Sequence, residues 1–349
     1  MARVDLTVHG AGIFGLSIAW EAARRGARVM VVETGQIGAG ASGGLVGALA
    51  PHVPEAWNQK KDFQLDSLLL ASRWWAAVEA ASGRSPGYAR TGRLQPLADA
   101  RAVTQARTRA VAAQTLWRGA AEWRVIPASR AEWEPVTPSG WLIHDTLTAR
   151  LHPRLALTAL AAAIRSRGGE VREGPQPDAP PPAGPVIWAT GVAGLTALSA
   201  TLGRSAGGGV KGQALTLDHD ARDAPQLMID GLHIVPHADG TTAIGSTSEN
   251  RWDDPHGTDA QLDSLLARAR AALPVLADAA VIDHWAALRP RAASRAPVLG
   301  PLPGRPGHFI ANGGFKIGFG IAPRVAEIMV DLVLEGRDSI PPDFRPEAL

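Results

Sequence analysis

Cysteine is missing from all 349 residues. This excludes disulfides, thiolate metal sites and a cysteine nucleophile. Lysine is nearly missing too: Lys60, Lys61, Lys211 and Lys316 are the only ones, so arginine carries the basic charge. Thirty-five basic and 33 acidic side chains leave a net charge of +2. The calculated pI of 9.4 reflects that near balance and makes no case for a nucleic-acid partner. Tyr88 is the sole tyrosine. No apolar run is long enough to cross a bilayer, so no integral membrane segment is expected. There is no fixed-period repeat, no Ser-His-Asp arrangement, no Walker-type phosphate loop and no His/Asp/Glu cluster at metal-ligand spacing, so no metal is expected. The first strand begins at about Val4, which leaves no room for a cleaved leader before it, and a cytoplasmic location is the expectation.

What is present is concentrated at the start. Val4–Val8 is a short apolar-rich strand, and His9-Gly-Ala-Gly-Ile-Phe-Gly15 follows it at once. A helix is expected over Leu16–Arg25, stopped by Gly26, and a second strand over Arg28–Val32 ends on Glu33. Strand, glycine turn, helix, strand and acid stand in the order a dinucleotide requires. Gly10 permits the tight turn, Gly12 lets a pyrophosphate approach the backbone, and Gly15 lets the helix lie close to the sheet. Ile13 and Phe14 stand in the glycine turn as cofactor-binding candidates, and the N-terminus of the following helix offers unpaired N–H groups and a positive dipole end that suit phosphate. Glu33 stands 18 residues after Gly15, where its carboxylate can accept hydrogen bonds from both ribose hydroxyls, an argument against a 2′-phosphate. The motif alone does not choose between NAD and FAD.

Small residues dominate Gly38–Gly44 and Leu45–Pro51, as a backbone passing close to a bulky ligand requires. Glu33 followed by Gly40-Ala-Ser-Gly43 and Gly47-Ala-Leu-Ala-Pro51 resembles the FAD-dependent amino-acid oxidase and dehydrogenase family, which includes glycine oxidase, sarcosine oxidase and D-amino-acid dehydrogenase. The resemblance implies that Thr34, Ala41, Ser42 and Gly43 run along the ribose and pyrophosphate, and that Gly47, Ala48 and Leu49 pass near the isoalloxazine. With no cysteine to link it, the FAD is expected to be non-covalent.

Further along, helices are expected over 60–82, Ala100–Ala121, Pro153–Arg167, Asp259–Leu273 and Ile321–Glu335. Residues 123–150 read as irregular, with Trp123, Trp133 and Trp141 as core or pocket wall. Tyr88–Leu97 resembles the family's first substrate-domain strand. Leu232–Pro236 and Thr242–Thr247 read as a hairpin around Asp239-Gly240. Val281–Ala287 is a strand leading to Leu288-Arg289-Pro290. By resemblance, Val171 holds the adenine, Thr190-Gly191 forms a second FAD motif after the strand Pro185–Ala189, and Gly313, Gly314, Phe315, Lys316, Ile317 and Gly318 form the terminal turn beside the flavin. The proline-rich 175–185 stands where many relatives carry a small strand excursion. Lys211 replaces the arginine of the family's common Arg-Gly-Gln.

The expected fold is α/β: a Rossmann-like FAD-binding domain, with a parallel sheet and helices on its faces, made of 1–82, 151–210 and 289–349. A substrate domain of 83–150 and 211–288 is α+β with a largely antiparallel sheet. The resemblance implies an FAD-dependent oxidoreductase that moves hydride from the α-carbon of an amino acid or carboxylate-bearing amine to flavin N5, giving an imine that water hydrolyses. Oxygen or a quinone is the expected electron acceptor. Arg289 is the expected partner of the substrate carboxylate, since a guanidinium fork matches a carboxylate. Lys316 is a second cation for flavin or carboxylate. His233 stands near a position where relatives use tyrosine and would bond with pH dependence. His52 is a candidate for the pocket wall. Two alternatives accompany this reading. The Gly40–Leu49 stretch is also similar to the oxidase domain of the bifunctional tRNA wobble-uridine enzyme, which would imply removal of a carboxymethylaminomethyl group. The departures at 233 and 316 would also suit a non-catalytic flavin-binding subunit.

Overall fold

The computed structural model describes residues 4–175 and 184–349. Most of the proline-rich 175–185 lies outside the described residues. In chain order the first elements are Leu6–His9 (β1), Ile13–Arg24 (α1), Val29–Glu33 (β2), Ala48–Leu49 (β3), Gln59–Ser82 (α2) and Arg93–Pro96 (β4). Then come Ala100–Leu116 (α3), Trp123–Pro127 (β5), Trp141–Asp145 (β6), Ala149–Arg150 (β7), Pro153–Ser166 (α4), Glu170–Glu173 (β8), Val186–Trp188 (β9) and Gly191–Leu202 (α5). The remainder is Gly207–Leu217 (β10), Gln226–Ile229 (β11), Leu232–Pro236 (β12), Thr242–Gly245 (β13), Ala260–Ala272 (α6), Val281–Ala292 (β14), Val298–Pro301 (β15), His308–Asn312 (β16) and Gly318–Glu335 (α7).

Two large sheets organise these elements. The first runs β15-β16-β9-β1-β2-β8 and is parallel except for β15. Its central β1 is buried on both sides, so Leu6 and Val8 are fully enclosed, as parallel strands covered by helices must be. Helix α1 lies between this sheet, α4 and α7, and is buried from Ile13 to Ala23. Glu21 is fully buried within it, held by Arg24 and Arg25 at 2.7 Å. Arg25 also reaches Asp331 at 2.6 Å and Glu335 at 2.7 Å, fixing α1 to α7. The α/β class and its nucleotide-binding unit are thus present as expected from sequence.

The second sheet has eight strands in the order β14-β10-β13-β12-β11-β4-β6-β5 and is antiparallel apart from the β4–β11 pair. One face carries Leu94, Leu215, Leu227, Ile234 and Ile244, which pack with Leu262 and Leu265 of α6. Alternation then turns Arg93, Met228, His233, Ala214, Trp285 and Arg289 to the other face, towards the first sheet.

Several boundaries differ from the sequence reading. Residues 123–150 are not irregular: β5 and β6 extend the sheet through pairing with β4, a long-range partnership that local composition does not report. Helix α3 ends at Leu116 rather than Ala121, because Arg118 and Gly119 adopt left-handed backbone angles of 55° and 67°. Strand β14 continues past Ala287 to Ala292, so Arg289 lies within a strand. Pro290 is tolerated there because β14 is a sheet edge.

Candidate active site

A cavity of about 1000 Å³ opens between the two sheets, beyond the carboxyl ends of β1 and β2. Its lining has two parts: His9, Glu33 and Thr34 come from the first sheet and the residue after it, and His233 and Arg289 from the second sheet, joined by Lys316 of the terminal turn.

At the first part the local sequence dictates a close approach. A methyl on Gly10 would stand 2.5 Å from the Ala189 carbonyl oxygen, and its φ is +101°. A methyl on Gly15 would lie 1.9 Å from the Gly10 carbonyl oxygen, so α1 rests directly on the turn. Glu33 is oriented by two amides: Ala11 N–H donates to Oε2 at 2.8 Å and Gly35 N–H to Oε1 at 2.9 Å. Ser42 brings the small-residue loop to the start of α1, where its Oγ accepts from Ile13 N–H at 3.0 Å. Gly47, at φ +64°, passes within 1.8 Å of the Leu151 carbonyl oxygen measured from where a methyl would sit.

Helix capping tests whether these residues fit an anionic dinucleotide. Among the described residues, α2, α3, α4 and α6 begin with a side-chain cap from Asn58, Asp99, His152 and Asp259. Helices α1, α5 and α7 have none, and no acid stands in their first turns. The first residues of these three helices, Ile13, Gly191 and Gly318, line the cavity, as does Pro153 at the start of the capped α4. Apart from the Ile13 N–H held by Ser42, the first-turn N–H groups and positive dipole ends of three helices therefore address one space, which suits phosphates and other negative charge. The residues fit the expected FAD.

Most sequence-derived cofactor positions meet here. Gly10, Gly12, Ile13, Phe14, Glu33, Thr34, Ala41, Ser42, Gly47, Ala48, Leu49, Thr190, Gly191 and the Gly313–Gly318 turn all line the cavity. Gly15 and Gly43 do not; they serve close backbone packing, Gly43 against the Gly38 carbonyl. Val171 also stands off the cavity wall, paired with Val31 on β8. Sequence reasoning missed His9 and Trp188, whose rings stack at 4.3 Å beside Glu33's end of the cavity.

At the other part, Arg289 is 8% exposed and lies over the Trp285 ring, with its carbon at 5.3 Å from the ring centre. Its Nη1 donates to the Thr247 carbonyl at 3.2 Å and occupies the space above Gly212 where any side chain would clash. Burial pushes its pKa down to about 10, against the pull of Glu249, and it stays cationic at neutral pH. Phe315 N–H donates to the Pro290 carbonyl at 3.1 Å, which fastens the glycine turn, and with it Lys316, next to Arg289. Burial and Arg289 lower the Lys316 pKa. His52 donates its N–H to Gln64 Oε1 at 3.1 Å and its ring Nδ1 meets the same oxygen, while Gln64 Nε2 donates to the Ala50 carbonyl at 3.1 Å. Gln64 is thus a wall residue that helical periodicity hid.

His233 departs from its expected pH dependence. Burial, then Arg93 and Lys316, push its pKa down to about 4, so it is neutral at ordinary pH. Buried His237, beside His152, is held near 4 as well. The unfolded chain protonates both near 6.5, whereas the folded chain does not until about 4. Their stabilising contribution is full above 6.5 and is lost as pH falls from 6.5 towards 4. Each imidazole adds a slope of at most about 1.4 kcal/mol per pH unit in that window. Denaturant midpoints measured at pH 7 and pH 5 should fall accordingly, and the His233→Gln/His237→Gln double variant should flatten that slope.

Lys211 is not a pocket cation. It is buried between Asp259 at 3.4 Å and Glu249 at 3.8 Å. Lys211→Met leaves the buried Glu249 without this partner and should destabilise the protein by about 3 kcal/mol, read by urea unfolding.

Comparison with known proteins agrees with this geometry. The chain is 36% identical to glycine oxidase of Pseudomonas aeruginosa over 132 residues, 38% of this chain and 36% of that protein. It is 27% identical to glycine oxidase of Geobacillus kaustophilus over 382 residues, covering 95% of this chain and 93% of that one. The crystal structure of the Geobacillus kaustophilus glycine oxidase superposes with a TM-score of 0.82 over 99% of this chain and 98% of that chain, at 22% identity. No helix among the described residues is long and apolar enough to cross a membrane. A family model for FAD-dependent oxidoreductases matches residues 5–332. By that match, which takes in most of its length, the chain belongs to the FAD-dependent oxidoreductase family.

Proposed function

We propose that the protein oxidises the C–N bond of an amino acid or a carboxylate-bearing secondary amine, passing the electrons to oxygen or a quinone. The observation that carries this reading is the buried Arg289, aimed across Gly212 into a cavity part that it shares with Lys316. Among the described residues Glu33 is the only carboxylate lining the cavity, and it lies at the nucleotide end. FAD, when bound, supplies the two-electron acceptor. Arg289 binds and orients the substrate carboxylate through the donors that Thr247 leaves free. Lys316 adds positive charge beside it. His233, neutral, offers a hydrogen-bonding ring whose Nδ1 has no protein partner. His52 is held by Gln64 as part of the wall and is not assigned a proton transfer. Among the described residues no carboxylate base stands at the reacting end, which suits a substrate bound as the neutral amine. Val171 retains a proposed place near the adenine through its backbone, one strand beyond Glu33. The division into 1–82, 151–210 and 289–349 against 83–150 and 211–288 is likewise our reading, with β10 and β14 crossing between the two units.

The test is product analysis. Incubation with glycine, sarcosine and both enantiomers of alanine and proline should release a 2-oxo acid and ammonia or an amine in equal amounts, or a cyclic imine from proline. An FAD-loaded protein that gives no such product with any of them, under oxygen or with a quinone, would refute the reading and favour a non-catalytic flavin subunit.

A further inference from the structure

Behind Arg289 stands a buried acid that the reaction does not use. Glu249 is 8% exposed. The segment that carries it runs on from β13 alongside β10. Ala214 pairs with Gly245, and Lys211 exchanges both backbone bonds with Glu249, at 3.0 and 2.9 Å. Three residue steps along β10, from 214 to 211, therefore face four along the partner, from 245 to 249, and the extra residue makes a bulge. Within it the Thr247 carbonyl turns to Arg289 Nη1, 3.2 Å away. Gly212, under Arg289, faces the cavity, so alternation puts the side chains of Lys211 and Gln213 on the opposite face of β10. The Glu249 carboxylate lies with them.

That carboxylate is fixed from several directions. Gln213 Nε2 donates to its Oε1 at 3.0 Å, and Thr247 Oγ1 donates to the same oxygen. Lys211 Nζ stands 3.8 Å from Oε2. The Gln213 amide is itself oriented, since Asp259 N–H donates to its Oε1 at 2.9 Å. Gln213 also pins Thr247: its N–H donates to Thr247 Oγ1 at 2.8 Å, and Thr247 N–H donates to the Gln213 carbonyl at 3.1 Å. Thr247 thus gives its carbonyl to Arg289 and its hydroxyl to Glu249. Among the described residues no direct bond joins the acid to the guanidinium, yet Glu249 raises the Arg289 pKa against the effect of burial, so its field reaches that group.

An acid at one remove behind a binding cation has an effect of definite sign. A ligand carboxylate on Arg289 keeps its two-pronged contact and is repelled by Glu249 across protein of low dielectric. Substrate and product carboxylates feel this alike. We propose that Glu249 sets how tightly the carboxylate site holds its ligand: it positions Arg289 through Thr247, and its own charge weakens the hold so that a carboxylate product can leave. This rests on the preceding reading of Arg289 as the partner of a substrate carboxylate. Glu249 is then a positioning residue that acts through Arg289. The alternative is that it only fastens the 246–250 segment to β10.

The two accounts differ in sign. Glu249→Gln keeps an acceptor for Thr247 and Gln213 and leaves Lys211 with Asp259 at 3.4 Å. The FAD-loaded protein is titrated with butyrate, a redox-inert carboxylate, and the visible flavin spectrum is followed. Glu249→Gln should bind butyrate at least about threefold more tightly than the native protein, as expected for one unit charge removed from several ångströms away. A purely structural role predicts equal or weaker binding, and either result overturns the inference. The gain must also vanish when Arg289→Ala is the parent; a gain that persists there overturns it too. Lys211→Gln/Glu249→Gln, which leaves no unpaired buried charge, should show a smaller gain of the same direction and serves if the single variant does not fold. In turnover, Glu249→Gln should lower KM for sarcosine without raising kcat. If no amine reduces the flavin while Glu249→Gln still tightens Arg289-dependent butyrate binding, the reaction assignment fails and the role of Glu249 stands. If amines are oxidised and butyrate binding depends on Arg289 but not on Glu249, the reaction assignment stands and this inference fails.

Discussion

Arg289→Ala is expected to lower kcat/KM for carboxylate-bearing amines by about 10²–10³-fold, the cost of truncating one member of a buried, hydrogen-bonded charge pair. The bound flavin should be retained. The expectation follows from how the side chain is held: 8% exposed, stacked over Trp285, and bonded to the Thr247 carbonyl through one nitrogen. Its removal empties the space over Gly212 and leaves Lys316 as the nearest cation, a point charge without a fork. Arg289→Lys should therefore recover only part of the loss. Steady-state kinetics and the ratio of flavin to protein absorbance measure the two halves. Unchanged kinetics, or loss of FAD with the side chain, would show that Arg289 serves the cofactor or the fold instead.

Gly10→Val should yield protein with little or no bound flavin. The residue adopts φ +101°, which a β-branched side chain resists, and even a methyl would meet the Ala189 carbonyl oxygen at 2.5 Å. Relief requires the end of β1 to part from the segment between β9 and α5. That movement displaces the start of α1 and Thr190-Gly191 together, since both border the same turn. Cofactor content after purification reads the effect, and circular dichroism shows whether the sheet survives. Native flavin content in this variant would mean that the glycine turn does not cradle the cofactor.

Legibility of the fold in the sequence follows the range of the interactions that form it. The unit from β1 to Glu33 is nearly contiguous, and its glycines act on neighbours in the chain, so it can be read directly. Strands β5 and β6 depend on β4 across tens of residues, and their tryptophans and prolines resemble loop composition. Helix α7 begins at Gly318 rather than Ile321, because Gly318 and Gly320 have the composition of a turn although they form the first helical turn beside Ile13 and Leu68. At the site, Arg289 is legible through its motif. Arg93 is inconspicuous within Arg93-Leu-Gln-Pro, where only a single charge in an otherwise uncharged strand hints at burial. Helix capping carries a further signal: among the described residues, α1, α5 and α7 lack a side-chain cap from their own N-cap residue where the other four helices have one. Part of that contrast is written in the residues themselves, Gly12 and Ile317 against Asn58, Asp99 and Asp259.

The central claim is that a carboxylate-bearing amine delivers electrons to FAD in the space between Ala48, Arg289 and Lys316. The most direct measurement is anaerobic titration of the FAD-loaded protein with sarcosine, proline and iminodiacetate, followed at the flavin's visible absorption band. The account predicts bleaching by at least one of them, slowed in Arg289→Ala, with the colour restored by air or a quinone. Bound FAD whose spectrum is unreduced by every such amine would contradict it.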